Sequence, residues 1–136
     1  MSLATTPTRF LVETEYDIVT ARKRGRELAL ELGFTTPLAT VVATAISELA
    51  RNILLYADRG EVSVARIERG DTRGVVIVAA DEGQGIPDVR RAMEDGYSTG
   101  GRLGLGLPGV RRLMDEIEIV SNVGEGTTVR VTKWLA

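Results

Sequence analysis

Glu48 and Asn52 stand four residues apart in a segment with a helical apolar stripe. At 3.6 residues per turn they project roughly 40° apart on one helix surface. A carboxylate there can accept a proton, and an amide oxygen is a hard ligand suited to magnesium. A solvated Glu–Asn pair on a helix flank has the same spacing and does no chemistry. Further along, Asp81-Glu82-Gly83-Gln84-Gly85-Ile86-Pro87 follows a β-branched run. An aspartate ending a buried strand is an acceptor fixed by the core, suited to an exocyclic amine such as adenine N6. Gly83 and Gly85 allow a tight turn and close approach to a flat ligand, although an ordinary glycine-rich turn reads the same way.

The segment Gly96 to Gly106 holds five glycines among 11 residues and leads into Leu107-Pro108-Gly109. Glycines running into a helix N-terminus make a phosphate site, because free N–H groups and the helix dipole face the anion. A flexible loop before a capped helix is the plainer alternative. No G-x-x-x-x-G-K-[ST] string occurs, so this is not a Walker A loop. Gly104-x-Gly106-x-x-Gly109 spells the dinucleotide-binding string, but no strand leads into it within a βαβ unit. Arg102 is the one cation in the loop, and phosphate contact and solvation are both open to it. Last, Gly124-Glu125-Gly126-Thr127-Thr128 opens a strand, where a threonine hydroxyl can close a purine pocket or simply sit in a hairpin.

Composition narrows the chemistry. The chain has no cysteine and no histidine. Thiol nucleophiles, disulfides, imidazole bases and His- or Cys-ligated metals are excluded together. A general base must be a carboxylate or, less readily, a lysine or tyrosine. The net charge of −2, from 17 basic and 19 acidic residues, gives no reason to expect nucleic acid as a partner. The longest unbroken apolar run, Gly74 to Ala80, is a strand length, so no membrane span is expected. The N-terminus lacks signal-peptide features, and the cytoplasm is the expected location.

These residues need elements to position them. Arg9 to Thr14 alternates as a strand through Phe10 and Val12. Asp17 is placed to cap a helix over Ile18 to Leu32, with Ile18, Ala21, Leu28 and Leu32 inward and Arg22, Lys23, Arg24 and Arg26 on a basic face. That face is either solvated or a docking surface for an acidic partner. Gly33 stops the helix. Thr36-Pro37 starts a second one, running to about Tyr56, whose stripe is Leu38, Val41, Val42, Ala45, Ile46, Leu49 and Ile53. Asp58 to Gly60 and Arg69 to Asp71 read as turns. Strands are expected over Glu61 to Glu68, Arg73 to Ala80 (buried on both faces), Glu116 to Val120 and Thr127 to Trp134. A helix is expected over Leu107 to Met114, and Asn122 to Gly126 is a turn. At 136 residues this is one domain, 1–136, an α/β two-layer sandwich with a mixed or antiparallel sheet and helices on one face.

Each motif is ambiguous alone, but their order is specific. Glu48/Asn52 on a helix, then D-x-G-x-G, a glycine loop with G-L-G-L, and G-T-T resembles the N, G1, G2 and G3 boxes of the GHKL ATPase and kinase superfamily. The resemblance runs from about Asp17 to Trp134 and implies its Bergerat-type ATP-binding fold. The short length and missing histidine resemble the anti-sigma-factor serine kinases. Ser47 to Asn52, Met93 to Thr99 and Gly106 to Glu116 look most like the RsbT-type switch kinases of the stressosome, as does the Thr132-Lys133-Trp134 ending. One departure is Tyr56-Ala57, where many relatives carry His-Ala.

The resemblance implies roles. Glu48 would be the general base toward an acceptor hydroxyl, and Asn52 would hold Mg2+ against the phosphates of ATP. Asp81 would bind the adenine amine, with Gly83 and Gly85 shaping that pocket. Gly104 and Gly106 would line the phosphates, and Thr127 or Thr128 would support the adenine contact. It further implies a serine/threonine kinase in a partner-switching stress response that regulates a sigma factor. Its partners would be a STAS-domain antagonist, the related stressosome scaffold and a PP2C-type phosphatase that it activates. Two other functions fit the boxes. One is a nucleotide-gated, anti-sigma-factor-like binding protein, which needs Asn52 and Asp81 but no base. The other is a stand-alone ATPase, disfavoured by the absence of a transducer domain.

Overall fold

The computed structural model describes residues 2–93 and 106–135. Its elements are β1 (Ser2–Ala4), β2 (Thr8–Val12), α1 (Glu15–Glu31), α2 (Thr36–Tyr56), β3 (Gly60–Arg69), β4 (Thr72–Asp81), α3 (Val89–Ala92), α4 (Gly106–Leu113), β5 (Glu116–Asn122) and β6 (Gly126–Trp134). The sheet runs β1-β3-β4-β6-β5, and β2 shares the same edge of β3 as β1. Every pairing is antiparallel. The two-layer expectation therefore holds, with the sheet purely antiparallel among the described residues.

Alternation along the strands divides the sheet into two faces. Val62 and Val64 of β3, Val75, Ile77 and Ala79 of β4, and Val129 and Val131 of β6 point to the helices. There they pack with Val42, Ile46, Leu49 and Ile53 of α2, Ile18 and Ala21 of α1, and Val110 of α4. On the other face Ala65, Ile67 and Val76 form a smaller cluster with Val78 and Trp134. β4 is thus buried on both sides, as its sequence implies. The Arg69 guanidinium lies 4.8 Å from the Trp134 ring centroid. It also pairs with Glu116, which accepts the indole N–H at 2.7 Å. The Arg69 hydrogen bond, and then that of Trp134, holds the Glu116 carboxyl below the usual carboxylate range.

The helix boundaries follow from their caps. The start of α1 differs from the expected one. Thr14 is the N-cap, its hydroxyl accepting from Asp17 N, while the Asp17 carboxylate accepts from Glu13 N at 2.8 Å and Thr14 N at 3.0 Å. Asp17 is therefore the reciprocal partner in a capping box rather than the cap itself, and those backbone bonds lower its pKa. On the basic face Arg22 and Lys23 are exposed, and Arg24 pairs with Glu31 at 3.3 Å. α2 begins at Thr36 with Pro37 in the first turn and ends at Tyr56, as expected, and Thr35 is its N-cap. By length and composition α2 could cross a membrane, a property that the run-length reading overlooked. Val42, Ala45, Ile46, Leu49 and Ile53 of its stripe, however, lie in the core, with Leu38 packed against it.

Gly25 of α1 packs directly against α2, and a Cβ there would overlap Ile46 Cδ1. Replacing a mid-helix glycine with alanine normally gains about 1 kcal/mol of helix propensity. Overpacking a filled core costs about 1–3 kcal/mol. Ile46 is fully buried, so it cannot swing into open space. The Gly25→Ala chain is expected to be less stable, by up to about 2 kcal/mol, as a lower midpoint in urea unfolding. A raised midpoint would mean that the two helices can part.

Candidate nucleotide site

The helix that fills the core also carries the candidate chemistry. Ten of its residues are buried, and Glu48 is among them at 8% exposure. A carboxylate so placed needs compensation, and Arg51 Nη1 lies 3.2 Å from Glu48 Oε2. Asn52, one turn along from Glu48, is half-buried. The helical repeat thus flanks the carboxylate with an arginine on one side and an amide on the other.

Asp81 ends β4 directly opposite Thr127. Its Oδ1 accepts the N–H groups of Gly83 at 2.9 Å and Thr127 at 3.3 Å. Both bonds fall on one oxygen, which fixes the carboxylate plane and leaves Oδ2 with neither of them. Gly83 turns the chain against the end of α2, where a Cβ would lie 2.5 Å from Ala57 Cβ and 2.7 Å from Tyr56 O. Gly85 has φ +79, and a Cβ there would lie 2.5 Å from Asn122 O. These close approaches are to protein, which the sequence does not distinguish from close approach to a ligand. Gly126, at φ +125, lies against the Asp81 carbonyl with no room for a Cβ.

The two candidate threonines separate. Thr127 shares the helix-side face with Asp81. Thr128 pairs with Ala80, points to the other face and is exposed. Only Thr127 joins the cluster, because strand side chains alternate. Gly106 opens α4, whose Leu107 and Val110 join the core. Gly104, Arg102 and the rest of the glycine segment before Gly106 lie outside the described residues.

Two neighbours of the site escaped the sequence reading. Arg51 was recoverable, since its i+3 spacing places it beside Glu48. Ser121 follows Ile117 and Ile119 in alternation, which puts it on the helix-side face at the end of β5. Its hydroxyl accepts from Ile86 N at 2.7 Å and lies 2.7 Å from Thr127 Oγ1.

Among the described residues no group of three His, Cys, Asp or Glu side chains could hold a metal ion. Glu48 and Asn52 provide hard oxygens but too few to cage an ion. That donor set fits magnesium delivered on the phosphates of a nucleotide.

The molecule is thus an antiparallel sheet covered on one face by helices, with the D-x-G-x-G turn packed against the end of the helix that carries Glu48 and Asn52. The chain belongs to the histidine kinase-like ATPase domain family, which it matches over residues 11–133. It is 53% identical over 124 residues to the serine/threonine-protein kinase RsbT of Bacillus subtilis (strain 168), covering 91% of this chain and 93% of that protein. It is 34% identical over 99 residues to the anti-sigma F factor of Caldanaerobacter subterraneus subsp. tengcongensis, covering 69% and 68%. The solved RsbU and RsbW domains of a Mycobacterium tuberculosis protein match with a TM-score of 0.65 at 24% identity, covering 95% of this chain. The present chain spans 32% of that longer one, and this likeness bears on the fold.

Proposed function

We propose that this chain is a serine/threonine protein kinase that uses Mg-ATP to phosphorylate a STAS-domain antagonist in a bacterial partner-switching stress response. The observation that carries the proposal is the buried Glu48 carboxylate, flanked by Arg51 and one turn from Asn52. A binding protein has no need to bury a charge at that position. In this reading the Asp81 Oδ2 receives the adenine amine, and Asn52 holds magnesium against the phosphates. Magnesium, when bound, neutralises charge that develops on the transferred group. The acceptor hydroxyl oxygen forms a bond to the γ-phosphorus in line with the bridging oxygen. Its proton passes to Glu48, the bond to the bridging oxygen breaks, and ADP leaves with that electron pair. Gly106 lines the phosphate side, and 1–136 acts as one GHKL domain in the cytoplasm. Arg22 and Lys23, exposed on α1, offer an acidic partner bidentate and point-charge contacts. After phosphorylation of its substrate, bound in a stressosome scaffold, the kinase binds and activates a PP2C-type phosphatase.

The similarity to anti-sigma F factors favours a second reading, in which ATP only gates the capture and release of partners. Incubation with γ-labelled ATP, magnesium and a panel of STAS-domain proteins separates the two. Transfer of label to a serine or threonine of one panel member is the expected result. Tight, ATP-dependent binding of a panel member with no transfer would replace the kinase reading with the second.

A further inference from the structure

We propose that Ser121 determines which purine the site accepts, by fixing the polarity of the Thr127 hydroxyl; this rests on reading the Asp81 pocket as the base site. The hydroxyl of Ser121 joins three segments. It accepts from Ile86 N at 2.7 Å, donates toward Gly126 O at 3.3 Å, and lies 2.7 Å from Thr127 Oγ1. A serine hydroxyl has one proton and two lone pairs. The Ile86 N–H occupies one lone pair. If the proton goes to Gly126 O, the second lone pair takes the Thr127 proton, and Ser121 makes all three bonds. If the proton goes to Thr127 instead, the Gly126 bond is lost and Ser121 makes two. The first arrangement satisfies more partners, and it leaves Thr127 Oγ1 with lone pairs only.

The consequence lies at the paired ends of β4 and β6. Thr127 is directly opposite Asp81, on the same face of the sheet. Oδ1 of Asp81 is engaged by two backbone N–H groups, so Oδ2 is the oxygen it offers. Asp81 Oδ2 and Thr127 Oγ1 then present acceptors. A 6-aminopurine brings an amine with two N–H donors. A 6-oxopurine brings a carbonyl oxygen to the same edge, and acceptor would meet acceptor. Asp81 alone favours the amine; Ser121 makes Thr127 favour it too, since a threonine free to rotate would donate to a carbonyl. Ser121 thus acts through Thr127 as a specificity residue, without touching the base.

The test is calorimetric affinity for Mg-ATP and Mg-GTP, measured on the full chain and on the Ser121→Ala, Ser121→Thr, Thr127→Val and Asp81→Asn variants. Ser121→Ala and Thr127→Val are each expected to reduce the ATP-over-GTP preference about tenfold, the scale of one mismatched buried hydrogen bond. Ser121→Thr keeps the hydroxyl and is expected to keep the preference. Thr127→Val retains the Ser121 bonds to Ile86 and Gly126 and tests whether the Thr127 hydroxyl reads the base. Should Ser121→Ala fail to fold, Ser121→Cys, whose thiol is a weak acceptor, carries the test of Ser121 and is expected to reduce the preference likewise. An unchanged preference in either the folded alanine or the folded valine variant, with ATP affinity lost in Asp81→Asn, would overturn the role of Ser121 alone. ATP affinity unchanged in Asp81→Asn would overturn the base site and this inference with it.

Discussion

Glu48→Gln is expected to lower phosphoryl transfer to a STAS-domain acceptor about 10²–10⁴-fold, the contribution typical of a positioned proton acceptor. Mg-ATP affinity should stay close to that of the unaltered chain. Glutamine keeps the shape and helix propensity of glutamate and removes only its basicity. The fold should tolerate the change. Arg51 loses its ionic partner, but its side chain is 31% exposed and can turn to water. Glutamine also relieves the core of a buried carboxylate, which offsets the lost pair. Asn52→Ala should behave differently, weakening both nucleotide binding and transfer, because it removes the proposed metal ligand. Single-turnover transfer of labelled phosphate, alongside calorimetry, distinguishes the two patterns. Equal transfer rates for Glu48→Gln and the unaltered chain would remove Glu48 from the chemistry.

Asp81→Asn is expected to weaken ATP binding by about 1–3 kcal/mol, roughly 5–150-fold in Kd. The geometry leaves the new amide no good orientation. Oδ1 accepts from Gly83 N and Thr127 N. The asparagine oxygen must take that place, or its NH2 group would face two N–H donors. With the oxygen so held, the NH2 occupies the Oδ2 position and faces the adenine amine, donor against donor. Thermal unfolding should change little, since both backbone bonds are kept. If ATP affinity survives in the folded variant, the base lies elsewhere.

Much of this arrangement was legible in the sequence, and the exceptions have physical causes. α2 was readable from end to end because its signals agree: Thr36-Pro37 at the start, one apolar stripe, and Asp58-Arg59-Gly60 beyond Tyr56. Asp81 was readable because it ends a β-branched run. β1 was missed, since three residues with exposed Leu3 and Ala4 carry no periodicity. Thr14 was passed over as a cap because Asp17, three residues on, carries an equally good signal; the two in fact cap each other. Thr127 and Thr128 could not be separated because the choice depends on register with Asp81, a tertiary fact. Ser121 was invisible for the same reason: its three partners lie 5, 6 and 35 residues away.

The turn after Asp81 has a consequence for how relatives of this chain should be judged. Gly83 fits against Tyr56 and Ala57, Gly85 against Asn122, and Gly126 against the Asp81 carbonyl. Each glycine is required by neighbouring backbone whether or not a nucleotide ever binds. Gly124 N donates to Gln84 O at 2.8 Å and ties the same turns together. A descendant that lost its activity but kept its fold would retain these glycines, so their presence is poor testimony that an enzyme is alive. Glu48 is the opposite kind of witness. Burying its carboxylate burdens the fold, and an apolar residue of similar size would be the easier occupant once catalysis was no longer needed. If Glu48 is the proton acceptor proposed above, a glutamate at that one buried position is expected to distinguish a working kinase from a retired one better than the whole glycine signature.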